Sequence, residues 1–145
     1  MKIFLATDHA GFELKELIKK YFIKMEYDFE DCGAFKYDPN DDYPDFILPA
    51  AKKVAMHPNY RGIIMGGSGQ GEAMAANRIK GIRATVFYDG PKDIIRLSRA
   101  HNNSNILSIG ARFIDYNKVL KIIELWLSID FDGGRHQQRI NKLDC

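Results

Sequence analysis

Residues 66 to 72 read Gly66-Gly67-Ser68-Gly69-Gln70-Gly71-Glu72. The glycines let the backbone turn several amide groups toward one point, and a carboxylate follows directly. Amide donors at a helix N-terminus stabilise an oxyanion, a single donor contributing ~3 kcal/mol in a transition state. Glu72 is placed to remove a proton from carbon while an adjacent oxygen becomes an enolate. A solvated glutamate has a pKa of ~4.3, so useful basicity requires burial. The plain alternative is that Glu72 only complements the helix dipole in a first turn. Nucleotide-binding loops fit poorly. A Walker A loop needs Lys after its second glycine, where this chain has Glu72. A Rossmann fingerprint would place a third glycine at 72 and would follow the first strand.

Other groups invite chemistry more weakly. Asp8-His9 could serve as acid, base or anion ligand, or be an N-cap beside a surface histidine. His101-Asn102-Asn103 reads as polar site groups or as an ordinary turn. Arg112, Arg135 and Arg139 carry the guanidinium fork suited to phosphate or carboxylate. Arg135 and Arg139 are four residues apart, so on a helix they share a face; otherwise they belong to a solvated basic tail. His57, beside Pro58-Asn59, reads as loop. A carboxylate base, an amide-rich oxyanion site, acid/base groups and arginines together suggest enolisation of a small phosphorylated carbonyl compound.

The elements that must position these groups are legible in hydrophobic spacing. Lys2 to Ala6 is an apolar run that predicts a buried strand. Leu14, Leu17, Ile18, Tyr21, Phe22 and Met25 then recur at helical spacing, with Glu13, Lys15, Glu16, Lys19 and Lys20 assigned to the polar face. Tyr27 to Asp31 alternates as a second strand, and Pro44 opens a helix carrying Phe46, Ile47, Ala50, Ala51 and Val54. Further strands are predicted at Gly62–Met65, Ile82–Tyr88 and Ile106–Ile109. Helices are predicted through Glu72–Asn77, from Pro91, over about Asn117–Leu127, and in a last basic segment after Gly133-Gly134. Strand and helix alternating with short connections predict an α/β fold. It is a Rossmann-like three-layer sandwich, with a five-stranded parallel sheet and helices on both faces. Ligands of such folds bind beyond the carboxyl ends of the strands, where Thr7-Asp8-His9, Gly66 to Glu72, Tyr88-Asp89-Gly90 and Gly110-Ala111-Arg112 fall.

Composition bounds the rest. With 145 residues, 46% of them hydrophobic, one domain over 1–145 is expected, and disorder is excluded. The 21 basic and 19 acidic side chains nearly cancel, which argues against a nucleic-acid partner. No apolar run approaches the roughly 20 residues that span a membrane, and the first residues lack a signal peptide's pattern, so a soluble cytoplasmic protein is expected. Cys32 and Cys145 are too few and scattered for a disulfide framework or a zinc knuckle.

Seven motifs carry a specific resemblance by their joint order and spacing. They are Asp8-His9-Ala10-Gly11, Asp42-Tyr43-Pro44, the glycine loop with Glu72, and Ala75-Ala76-Asn77. Gly81-Ile82-Arg83, His101-Asn102-Asn103 and Gly133-Gly134-Arg135-His136-Gln137-Gln138-Arg139 complete the set. Over essentially its whole length the chain resembles the type B ribose-5-phosphate isomerases, within a sugar-phosphate isomerase family that also includes galactose-6-phosphate isomerases. The resemblance implies interconversion of ribose 5-phosphate and ribulose 5-phosphate through a cis-enediolate, in the non-oxidative pentose phosphate pathway, with no metal or cofactor. It implies that Glu72 moves the proton between C2 and C1, and that Gly67, Ser68, Gly69 and Gly71 form the anion hole. Asp8 and His101 would assist ring opening, Tyr43 and Asn102 would line the sugar, and His9, Arg112, Arg135 and Arg139 would bind phosphate. The family's site is shared across a dimer, so a homodimer, or a tetramer of two such dimers, is expected, with residues from about 130 to 145 reaching the partner. Many members instead carry a cysteine base at the position of Gly66 and an apolar residue at that of Glu72; this chain matches the subgroup with a glutamate base, and neither cysteine needs a catalytic role. The alternatives are an isomerase of a six-carbon aldose phosphate such as allose or galactose 6-phosphate, and a non-catalytic sugar-phosphate sensor. Galactose-6-phosphate isomerases split the motifs between two different subunits, whereas this chain holds them all. A receiver-type signalling domain has the same element order but needs an acidic cluster and an aspartate where this chain has glycine.

Overall fold

A strand buried along an unbroken run of residues must be covered on both faces, since successive side chains point to opposite sides. The computed structural model, which describes residues 1–144 and leaves Cys145 outside, shows this for three central strands. These are β1 (Lys2–Thr7), β3 (Tyr60–Gly66) and β5 (Ile106–Gly110). With β2 (Phe29–Asp31) and β4 (Ala84–Phe87) they form an all-parallel sheet in the order β2-β1-β3-β5-β4. Ile3, Leu5, Ile63, Met65, Leu107 and Ile109 face one helical layer, whose core includes Ile18, Phe22, Ile95, Ile122 and Trp126. That layer is α1 (Phe12–Lys24), α4 (Lys92–Ala100) and α5 (Tyr116–Ser128). Phe4, Ala6, Ile64 and Ile106 face the other layer. It comprises α2 (Pro44–Val54) and α3 (Gln70–Ala76). The expected three-layer α/β sandwich is the observed one. The last helix, α6 (Arg135–Ile140), buries no side chain.

Departures from the sequence expectations have local causes. β2 begins at Phe29 because the chain turns at Glu26, whose φ is +59°, and the Tyr27 amide is used on the Phe22 carbonyl at the end of α1. β4 begins at Ala84, two residues later than its apolar run. The Arg83 and Ala84 amides are taken by the side chains of Asn105 and Asn77. Pro91 caps α4 from outside, with ψ at 133°.

Lys15 is the largest correction. Its place on the polar face of α1 fails, because the side chain is fully buried. The Lys15 ammonium donates to both oxygens of Asp31 at 2.8 Å, and Lys19 reaches the same carboxylate at 2.7 Å. Burial alone would raise the Asp31 pKa, but the two lysines and the Gly33 amide outweigh it and hold the carboxyl below its ordinary value. The network ties α1 to the end of β2. The chain then pairs with Thr7 through Gly33 and Ala34, so this anchor sets the start of the loop leading to Tyr43.

Replacing Lys15 by Met keeps the volume and removes the charge. Urea unfolding of that variant is expected to show a loss of about 3 kcal/mol, as for a broken buried pair. Lys19→Met, at a partly exposed site, is expected to lose less than about 1 kcal/mol. The wild-type contribution is present at neutral pH and is lost as pH falls through the depressed Asp31 pKa.

Candidate functional site

In the order β2-β1-β3-β5-β4, the connections after β1 and β3 run to opposite sides, which opens a crevice at the carboxyl ends of these two strands. Asp8 leaves β1 and caps a single turn of 3-10 helix, His9–Gly11, accepting the Ala10 amide at 2.9 Å. The glycine loop leaves β3 beside it. β5 holds that loop in place. Ala111 N–H donates to the Gly66 carbonyl at 2.8 Å, Arg112 N–H to the Gly67 carbonyl at 3.2 Å, and the buried Ser108 hydroxyl to the Gly69 carbonyl at 2.7 Å. Gly69 takes φ +78° at the start of α3, a conformation that suits glycine.

Glu72 turns its side chain back under this loop and is only 5% exposed. A Cβ on Gly66 would lie 1.8 Å from Glu72 Oε1, so the carboxylate occupies the volume a residue-66 side chain would need. Burial pushes the Glu72 carboxyl above its ordinary value, opposed by its own backbone amide and aided by the nearby negative charge of Asp8. His9 carries the opposite charge tendency. Its Nδ1 lies 2.6 Å from Asp41 Oδ1, and this bond, with Asp8 and Asp41 nearby, holds the imidazole above its ordinary pKa against burial and Arg112.

A cavity of about 400 Å³ joins these groups. Asp8, His9, Tyr43, Gly67, Ser68, Gly71, Glu72 and Arg112 line it, so eight of the sequence-selected residues converge. Gly69 sits behind the loop as a buried hinge. The Arg112 guanidinium lies over Gly67, and the Tyr43 ring packs against Gly71, where a Cβ would come within 2.8 Å of the phenol. Sequence reasoning missed three residues. Asp41 was hidden in a polar loop, and Phe113, beyond the strand end, closes one wall. Ser108 did leave a signal, as the one polar residue in the run Ile106–Ile109.

Four selected residues lie elsewhere. His101 and Asn102 precede β5, at the amino ends of the strands, where the Asn105 carbonyl accepts the Gly62 amide. The length of β5 separates them from Glu72 by roughly 15 Å along the sheet. His101 stacks on His136 with ring centroids 4.2 Å apart and planes at 11°, and its Nε2 lies 3.8 Å from Asp132. Asn102 lines a separate cavity of about 410 Å³ with Arg83, and Arg135 and Arg139 are exposed on α6. Two trios bring metal-ligand atoms together among the described residues, Asp8-His9-Asp41 and His101-Asp132-His136. In the first, His9 Nδ1 is already committed to Asp41. In the second, the two imidazoles are stacked nearly parallel.

A parallel α/β sheet whose switch-point crevice holds a desolvated carboxylate, loop amides and phosphate-type cations defines a protein built for proton transfer on a small anionic substrate. More narrowly, the chain belongs to the Ribose/Galactose Isomerase family, which it matches over residues 3–143. It is 38% identical over 144 residues to ribose-5-phosphate isomerase B of Mycolicibacterium paratuberculosis, covering 99% of this chain and 89% of the relative. A crystal structure of ribose-5-phosphate isomerase B from Mycoplasma genitalium with bound ribulose-5-phosphate superposes with a TM-score of 0.92 at 38% identity, covering 98% of this chain and 93% of that one. The Thermotoga maritima ribose 5-phosphate isomerase superposes with a TM-score of 0.91 at 40% identity, covering 99% and 97%.

The raised Glu72 pKa has a consequence for stability. Between its unfolded and folded values, the unfolded chain releases the proton first, so rising pH there destabilises the fold. Glu72→Gln is therefore expected to raise unfolding stability by about 1 kcal/mol at pH 7 and to have no such effect near pH 4, checked by thermal melts at both values.

Proposed function

We propose that the protein interconverts ribose 5-phosphate and ribulose 5-phosphate. The observation that carries this reading is the buried Glu72 carboxylate, held under the glycine loop in the cavity that His9 and Arg112 also line. After ring opening assisted by Asp8 and His101, Glu72 removes the C2 proton of the aldose, and the C1 carbonyl becomes part of a cis-enediolate. Its negative charge is held by the amides of Gly67, Ser68, Gly69 and Gly71, with the Ser68 hydroxyl beside them. Glu72 then returns the proton to C1, and the hydroxyl proton moves from O2 to O1, giving the ketose. Burial matches the base to this work, since a raised pKa strengthens its carboxylate form as a proton acceptor. No step is assigned to a metal or cofactor.

The substrate extends from Glu72 past Tyr43 and Asn102 to a phosphate held by His9, Arg112, Arg135 and Arg139. Because His101, Asn102, Arg135 and Arg139 lie away from the Glu72 cavity, they serve the site of a second copy. The working unit is a cytoplasmic homodimer, or a tetramer made of two such dimers, of one sugar-phosphate isomerase domain over residues 1–145. Its segment from about 130 reaches the partner.

Purified protein is expected to convert ribose 5-phosphate and, in heavy water, to place deuterium at C1 or C2; Glu72→Gln is expected to bind the sugar phosphate without turnover. Conversion of allose or galactose 6-phosphate alone would establish the six-carbon alternative, and conversion of none would leave a sensor. Gly66→Ala, which displaces the carboxylate, is expected to lower kcat about a hundredfold. Mixing inactive Glu72→Gln and His101→Ala subunits under conditions that exchange partners is expected to restore roughly a quarter of wild-type activity, because half the dimers are mixed and each has one intact site. No recovery would show that both residues serve the same chain's site.

A further inference from the structure

Asp41 presents an unusual arrangement for a residue in a polar loop. Its side chain is only 9% exposed. One oxygen accepts both the backbone N–H of His9, at 3.0 Å, and the ring Nδ1, at 2.6 Å. The other oxygen, Oδ2, is buried with no hydrogen-bond partner among the described residues. A carboxylate held this way is costly unless its charge does something for a neighbour. The neighbour is His9, whose ring stands in the cavity wall with Nδ1 spoken for and Nε2 left for a ligand.

We propose that Asp41 is a positioning residue that fixes the His9 ring through Nδ1 and keeps it an imidazolium, so that Nε2–H is offered to the substrate phosphate. This rests on the reading of His9 as a phosphate ligand. The charges facing His9 are Asp8 on its own turn, Asp41 from the loop before α2, and Arg112 from beyond β5; the Tyr37 ring meets it edge-on at 6.2 Å. Two carboxylates against one guanidinium favour the protonated ring, and the hydrogen bond to Asp41 is the largest contribution. A neutral imidazole in the same place would still donate from Nδ1 to Asp41, which leaves Nε2 an acceptor facing an anion. The charge on Asp41 therefore decides whether His9 attracts or repels phosphate.

Asp41→Asn separates charge from shape, because the amide oxygen still accepts from Nδ1. The His9 ring is followed by NMR titration, its signals assigned with His9→Gln. In the wild type its midpoint is expected above the ordinary histidine value of about 6.5, and in Asp41→Asn it is expected to fall. At pH 8 the KM for ribose 5-phosphate is expected to rise roughly tenfold in Asp41→Asn, with kcat within about twofold, and the difference is expected to shrink as the pH is lowered to 6. Weaker binding of inorganic phosphate at pH 8 is expected to parallel the KM change. An unchanged or lower KM, or a wild-type His9 midpoint at or below the ordinary histidine value of about 6.5, would overturn the proposal. If the variant fails to fold, the wild-type His9 midpoint still decides it, a midpoint above about 6.5 supporting the proposal and one at or below it overturning it. Failure of the isomerase reading appears separately, as no turnover of ribose 5-phosphate by the wild type, while the His9 midpoint and phosphate affinity remain measurable.

Discussion

The site depends on one steric and electrostatic arrangement, the Glu72 carboxylate filling the volume left by the missing side chain of Gly66. A carboxylate out of water is unfavourable, and the fold tolerates it because the neighbouring backbone is fixed from the other side. Gly66 and Gly110 are paired in register, Ala111 and Arg112 hold the Gly66 and Gly67 carbonyls, and Ser108 holds that of Gly69. The same geometry explains the two patterns within the family that the sequence resembles. On the proposed reading, a cysteine at 66 and a glutamate at 72 would place their reactive atoms in the same space, so the base would arise from one position or the other. Here the glutamate occupies it, and desolvation supplies the basicity that a surface glutamate lacks.

Sheet topology decides which residues can share that volume. Groups that follow β1, β3 and β5 meet at the carboxyl ends, and the Asp8, Glu72 and Arg112 positions obey this. His101 and Asn102 follow a helix and precede a strand, so they fall at the opposite edge. Chain order alone therefore separates the two clusters before any side chain is considered.

Much of this was legible because the signals were local. Apolar runs at Lys2–Ala6 and Ile106–Ile109, helical spacing from Leu14 to Phe22, and Pro44 at a first turn each carry their information within a few residues. The losses came from partners distant in sequence. Lys15 looks solvated until β2 brings Asp31 against it, sixteen residues away. Tyr27 alternates like a strand residue, yet its amide is already used by the preceding helix. Asp41 is one acid among several in a loop, and only its approach to His9, thirty-two residues earlier, distinguishes it. The glycine loop succeeded because residue type, spacing and place after a strand agreed.

The near-neutral composition conceals a local imbalance that bears on assembly. Asp8, Asp41 and Glu72 stand around or just behind one cavity, and among the described residues the basic side chains lining it are Arg112 and His9. Three carboxyl groups therefore crowd the place where, on the proposed reading, a phosphate dianion enters. Arg135 and Arg139 are two exposed guanidiniums on a helix that buries nothing against its own chain. On the proposed reading these two facts resolve each other. A second copy supplies the cations that one copy's cavity lacks, and the carboxylates needed for proton transfer and for charging His9 can stay beside the phosphate because its neutralisation comes from the partner.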